Sequence, residues 1–290
     1  MDLHEDTALF RETVNFTASR TGFSTRLVEQ DYFCTVLLSY LANHGGDQLV
    51  FKGGTCLAKV YAGFYRLSED LDFTIPMPVD ASRNQRRQAV AKIKNAVAVV
   101  ADYLPGFAVA KPLTGTNNST QYNGAIAYRS TTTGQQQNIL IEVSVREPLL
   151  MSADKTQAMT MLCDPINGKA IVPGIKLNCI TWDEAMAEKF RAALSRKEVA
   201  IRDFYDLDYA VQYFELDPSN AHMVDIVCQK LTTPGTLPVD VSTERFAALK
   251  RQLGTRLKTV LREKDFRAFD LNHAIQLVTE MAKRLTREGK

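Results

Sequence analysis

FKGGTCLAKVYAGFYRLSEDLDF, residues 51 to 73, decides how the first half of this chain folds. The short apolar run QLVF ends against Lys52, Gly53 and Gly54 and has strand character; TCLAKVYAG is helical in composition; LSEDLDFTI alternates Leu71, Phe73 and Ile75, as a half-buried strand does. The order is strand, turn, helix, turn, strand. Asp70 and Asp72 lie two residues apart on the second strand, so their carboxylates leave the same face, about 6 to 7 Å apart at the backbone. A hard divalent cation such as magnesium takes such oxygens and leaves other positions for water and substrate phosphates. Ions so held can activate an attacking oxygen and stabilise a leaving pyrophosphate. Gly53-Gly54-Thr55 suits a tight turn into a helix, where backbone N–H groups can face a phosphate. An isolated Asp-x-Asp is usually a solvated strand edge, and an isolated Gly-Gly is usually a turn. Their conjunction on adjacent elements carries more weight, because the turn and the carboxylates can share one end of a sheet.

Upstream, STRLVEQDYFCTVLLSYLANH reads as a helix capped by Ser24 and stopped by Gly45 and Gly46. Downstream, one long helix is expected from Asp80 to Tyr103. Strands are expected around Phe107 to Pro112, Gly124 to Arg129 and Ile139 to Val145, giving a mixed sheet of about five strands. Beyond Pro148 the pattern turns helical, interrupted by a last short strand, IKLNCIT. Thr181 with Glu184 offers a capping box, and helices are expected to the end, including Asp203 to Phe214, Ala221 to Leu231, Arg245 to Arg262 and Phe266 to Arg287. The fold class is α+β, with an N-terminal domain over residues 1–165 and a mainly helical C-terminal domain over 166–290.

The 290 residues, 45% apolar and 23% charged, suffice for a real core and argue against disorder or a coiled-coil rod. No stretch approaches 18 uninterrupted apolar residues, and the acidic N-terminus is unlike a signal peptide, so a cytoplasmic protein with no membrane partner is expected. Five scattered cysteines without a CxxC indicate neither a disulfide framework nor a structural zinc site. The four histidines match no motif.

Net charge is only +2, but the bases are unevenly spread. From Arg245 to Lys290 there are twelve bases against five acids. A second cluster, Arg83, Arg86, Arg87, Lys92 and Lys94, contains no acid. Such patches attract polyanions by counterion release, or are simply the solvated faces of helices.

The motifs together resemble a known family. KGGTCLAKVY followed by RLSEDLDF is similar to the first motif of the AbiEii toxin family of nucleotidyltransferases, a branch of the DNA polymerase β-like superfamily. VEQDYF, residues 28 to 33, resembles the signature that precedes it, with Gln30 where lysine is common. ILIEVS around Glu142 resembles the strand of the third superfamily carboxylate, and residues 188 to 210 resemble the later Lys…Arg-Asp-x-x-Asp motif. The resemblance implies a polymerase β-like core in which Asp70 and Asp72 are catalytic and hold Mg2+. It implies that Lys52, Gly53, Gly54, Thr55, Arg66, Ser68 and Glu142 surround the nucleotide, with Lys189 and Asp206, alongside Asp203, as further catalytic residues. It also implies transfer of a nucleoside monophosphate from a nucleoside triphosphate, a tRNA 3' end as acceptor, growth inhibition, and an antitoxin partner. The alternatives are transfer to a small molecule or a protein hydroxyl, or an inactive binding module on the same fold.

Overall fold

Two units divide the chain in a computed structural model that describes residues 2–288: the first runs to Ile180 and the second starts at Thr181. The first unit opens with helices α1 (Thr7–Thr21) and α2 (Thr25–His44). Asp6 and Ser24 cap them by accepting backbone N–H groups of the first turn, the use to which short oxygen-bearing side chains are suited. There follow β1 (Val50–Lys52), α3 (Gly53–Cys56, continued by a wide turn through Tyr61), and β2 (Asp70–Thr74). Next come short helices α4 (Arg83–Ala89), α5 (Ala91–Ala98) and α6 (Val100–Tyr103). Strands β3 (Phe107–Thr116), β4 (Gln121–Arg129), β5 (Gln136–Ser144), β6 (Asp154–Ala158) and β7 (Ile175–Cys179) complete the unit.

All seven strands join one mixed sheet, in the order β3-β4-β5-β2-β1-β7-β6. β2 runs parallel to β5 and β1 parallel to β7, while the other pairs are antiparallel. The sheet is larger than the five strands expected, and β6 stands where helix was expected. DKTQA lies at the sheet edge and is mostly exposed, so no buried face imprints an apolar alternation on its sequence. The expected long helix is broken at Val90 and Val99, whose backbones depart from helical geometry.

One face of the sheet is core. Phe51, Leu71, Phe73, Ile126, Ile141 and Val143 are at most 1% exposed. Leu37, Leu38 and Leu41 of α2 and Ile93 of α5 are likewise fully buried. Each such side chain contributes about 1.5–3 kcal/mol on leaving water. The opposite face is partly open: Leu140 on β5 is 53% exposed.

The second unit is helical: α7 (Trp182–Ser195), α8 (Ile201–Tyr213), α9 (Ala221–Leu231), α10 (Thr243–Gln252), α11 (Glu263–Ala268) and α12 (Leu271–Glu288). The α+β architecture is as expected, but some local details differ. The capping box at Thr181 does not form, because Glu184 is buried with its carboxylate 2.6 Å from Lys230 Nζ. Arg245, counted above among the surface bases, is buried and donates to the carbonyls of Ala192, Ala193 and Arg196, satisfying the C-terminal end of α7. Burial lowers its pKa. Arg262 pairs with Asp265, Lys258 and Arg267 with Glu263, and Arg284 with Glu280, so several of the C-terminal bases are engaged by acids of the same segment, while its excess of bases over acids stays as counted. Lys290 lies outside the described residues. Among those described, no helix is long and apolar enough to cross a membrane.

Candidate active site

Strand register places the candidate residues of the first unit. Lys52 pairs with Asp72, Asp72 with Glu142, and Glu142 with Asn123, so these four form one row across β1, β2, β5 and β4. Directly paired residues share a face of the sheet, with strands about 4.8 Å apart. Asp70 lies on the same face, opposite Leu140. Glu142 is thus next to the Asp-x-Asp pair, on the open face it shares with Leu140 and Ser144.

The glycine turn is closed against this row. Gly53 has φ +77, and a β-carbon there would lie 2.1 Å from Asp72 Oδ2. Only glycine meets both conditions. A β-carbon on Gly54 would meet the Arg66 guanidinium at 2.5 Å and Ser68 Oγ at 3.2 Å. The Thr55 hydroxyl donates to the Asp70 carbonyl at 2.5 Å, tying the start of the helix to the start of β2. Arg66, 2% exposed, donates to the Leu67 carbonyl and lies over the Tyr65 ring; Ser68 is also buried. These two side chains pack against the turn instead of extending into solvent.

Among the described residues no three His, Cys, Asp or Glu side chains are grouped closely enough to hold a metal ion by themselves. The oxygens of Asp70 and Asp72, with Glu142 beside Asp72, nevertheless suit magnesium, which binds through one or two carboxylates and draws its remaining ligands from water and phosphate.

VEQDYF is a structural strut. Glu29, 2% exposed, accepts the backbone N–H groups of Thr131 and Thr132 and the hydroxyls of Ser130 and Thr132, clamping the β4–β5 turn. Asp31 meets Lys59 Nζ at 2.7 Å, and Lys59 also donates to Thr35. Gln30 accepts from Arg26, which in turn pairs with Glu69 just before the Asp-x-Asp strand. These roles were missed in the sequence. The one available signal was a lone lysine in the otherwise apolar run LAKV.

In the helical unit Lys189 on α7 lies 2.8 Å from both Asp203 and Asp206 of α8. Arg196 approaches Asp203 from the other side at 3.3 Å. The structure thus brings together the three residues of the later motif. Lys189 is only 13% exposed at its side chain, so it is held between the two helices and is not a solvated helix-surface lysine.

Two crystal structures from Helicobacter pylori share the fold. JHP933 has 16% sequence identity and a TM-score of 0.52, covering 92% of this chain and 96% of its own. A protein provisionally described as a nucleotidyltransferase has 15% identity and a TM-score of 0.53, covering 92% and 97%. No curated protein matches significantly. The family model for the nucleotidyl transferase AbiEii toxin of type IV toxin–antitoxin systems matches residues 36–284, most of the chain, and the chain belongs to this family of nucleotidyltransferase toxins.

Proposed function

We propose that this protein moves a nucleoside monophosphate from a nucleoside triphosphate to the 3' end of tRNA in the cytoplasm, halting translation and growth until its antitoxin counters it. The observation that carries the reading is the row of Asp72 and Glu142, with Asp70 beside it, on an open sheet face closed at one side by the Gly53 turn. Asp70 and Asp72 would hold magnesium, with Glu142 as a third oxygen donor at its edge. Bound there, the ion would supply charge neutralisation at the phosphates and acidify the acceptor hydroxyl. The chain's own part is positioning. The turn at Gly53 and Gly54 would admit the triphosphate close to the backbone, with Thr55 holding the start of β2 in register and Arg66 and Ser68 supporting the turn from beneath. Lys52, in the same row, would contribute positive charge towards the phosphates. For Lys189 we infer the family's role, a cation on the nucleotide's phosphates, with Asp203 and Asp206 fixing its ammonium group.

The test is transfer of label from α-labelled triphosphates, in magnesium, into total RNA, total protein or an aminoglycoside. Label is expected in tRNA, and Asp70→Asn or Asp72→Asn should abolish it with circular dichroism unchanged. Label in protein or antibiotic would reject the tRNA acceptor, and wild-type rates in both variants would reject the metal site.

A further inference from the structure

The acid-free basic cluster of the sequence forms one wall of a groove of about 710 Å3 between α4, α5 and the tip of the β3–β4 hairpin. Its floor belongs to the face of the sheet opposite the carboxylates, for Tyr122 and Gly115 continue the register row of Phe73 and Val143. Arg83, Arg87 and Lys94 line it, and all three are exposed. No acid occurs between Asp80 and Asp102, and none lines the groove. Among the described residues none of the three bases is in an ion pair, unlike several of the C-terminal arginines.

Two independent features mark the groove as built for an occupant. Tyr122 is 4% exposed, and its hydroxyl is buried without a hydrogen-bond partner among the described residues. Such a group is costly unless something supplies its partner. Next to it Asn117, Asn118 and Ser119 all have positive φ, at 48, 55 and 61. Consecutive left-handed residues other than glycine are strained, and strain of this kind gathers at ligand sites.

We propose that this groove holds the phosphodiester backbone of a nucleic-acid strand, with Arg83, Arg87 and Lys94 on its phosphates and the Tyr122 hydroxyl donating to a phosphate oxygen. An acidic protein is the less suited occupant. Protein interfaces are anchored by apolar and aromatic groups, whereas this lining is mostly amide and cation, with Tyr122 its one aromatic and Val90 its one large aliphatic side chain, the polar and positive character of nucleic-acid interfaces. The inference rests on this face alone and does not require transfer at Asp70 and Asp72.

The full chain is titrated against a labelled RNA stem with a single-stranded 3' tail, a DNA of the same sequence, and a labelled polyglutamate peptide, over a salt series. Arg83→Gln with Arg87→Gln and Lys94→Gln removes three exposed charges, so thermal melting should be unchanged. The slope of log affinity against log salt should fall by about 2 on a single strand and nearly 3 on a duplex. Tyr122→Phe should weaken binding several-fold while leaving melting equal or higher, because it removes an unsatisfied hydroxyl. Binding should persist in EDTA and without nucleoside triphosphate, conditions in which no transfer at Asp70 and Asp72 can run, which separates this inference from the transfer reaction. Comparable loss with RNA and DNA supports a backbone site, and greater loss with RNA supports one that also reads the ribose. An unchanged slope in the triple variant overturns the proposal, as does polyglutamate binding that matches RNA and is lost with the same three charges.

Discussion

Lys59 Nζ lies 2.7 Å from Asp31 Oδ1, with both side chains almost wholly out of solvent, so α2 is pinned to the helical turn that follows the glycine loop. Removing either partner leaves an uncompensated buried charge, at a cost of about 3–5 kcal/mol. Lys59→Ala and Asp31→Ala should each lower the unfolding free energy by that amount in urea titrations. Lys59→Met combined with Asp31→Leu should recover most of it. A loss below about 1 kcal/mol in either single variant would show that the pair does not hold these elements together.

Gly53→Ala should stop transfer. The left-handed backbone costs about 1–2 kcal/mol with a β-carbon, and the clash with Asp72 displaces a carboxylate whose misplacement by 1 Å can cost about 100-fold in rate. Gly134→Ala is the control, since Gly134 also has positive φ (+71) but nothing within 4 Å of its would-be β-carbon. It should lose a similar backbone increment and keep its transfer rate.

Lys189→Ala should be unstable as well as inactive. It takes away the ammonium group shared by two nearly inaccessible carboxylates, Asp206 and Asp203, the latter keeping Arg196 at 3.3 Å, and should cost about 1–3 kcal/mol in thermal or chemical unfolding. Adding Asp203→Asn and Asp206→Asn removes the two buried charges that Lys189 had balanced. That triple variant should regain much of the stability but no transfer, whereas return of activity with stability would make Lys189 a purely structural residue.

Burial lowers the pKa of His4, whose ring sits against Tyr32, Phe33 and Phe107 and hydrogen-bonds the Tyr32 hydroxyl at 2.9 Å. Burial also pushes Tyr32 up to about 12. The folded protein prefers neutral His4, so the unfolded chain takes up the proton first as pH falls. Stability from this residue is therefore complete above the ordinary imidazole value of about 6.5 and declines below it, until the folded value is passed. In melts between about pH 7 and 5, His4→Asn should show a shallower decline than wild type, and an identical slope would remove His4 as the cause.

Local signals made much of this fold readable. Leu71, Phe73 and Ile75 alternate because one face of β2 is buried, and Ser24 caps the start of α2 while the positive φ of Gly46 follows its end. Asp70 and Asp72 shared a face by strand geometry alone. The hidden parts depend on distant partners. Glu29 clamps a turn a hundred residues away, Lys59 draws its carboxylate from the preceding helix, and the burial of Lys189 depends on how α8 packs on α7. Charge counting could not single out Arg245 for the same reason, since its guanidinium is buried on the carbonyls at the end of another helix.

The parallel pairings of β1 with β7 and β2 with β5 join Val50 to Asn178 and Asp72 to Glu142. Contacts so remote along the chain close slowly, because loop entropy is lost before any pairing is gained. During synthesis the emerging polypeptide therefore carries Asp70 and Asp72 on a strand that lacks its parallel neighbour until β5 has left the ribosome, and β1 remains a sheet edge until β7 follows. A chain that ends before β5 therefore has no Glu142 to set beside Asp72.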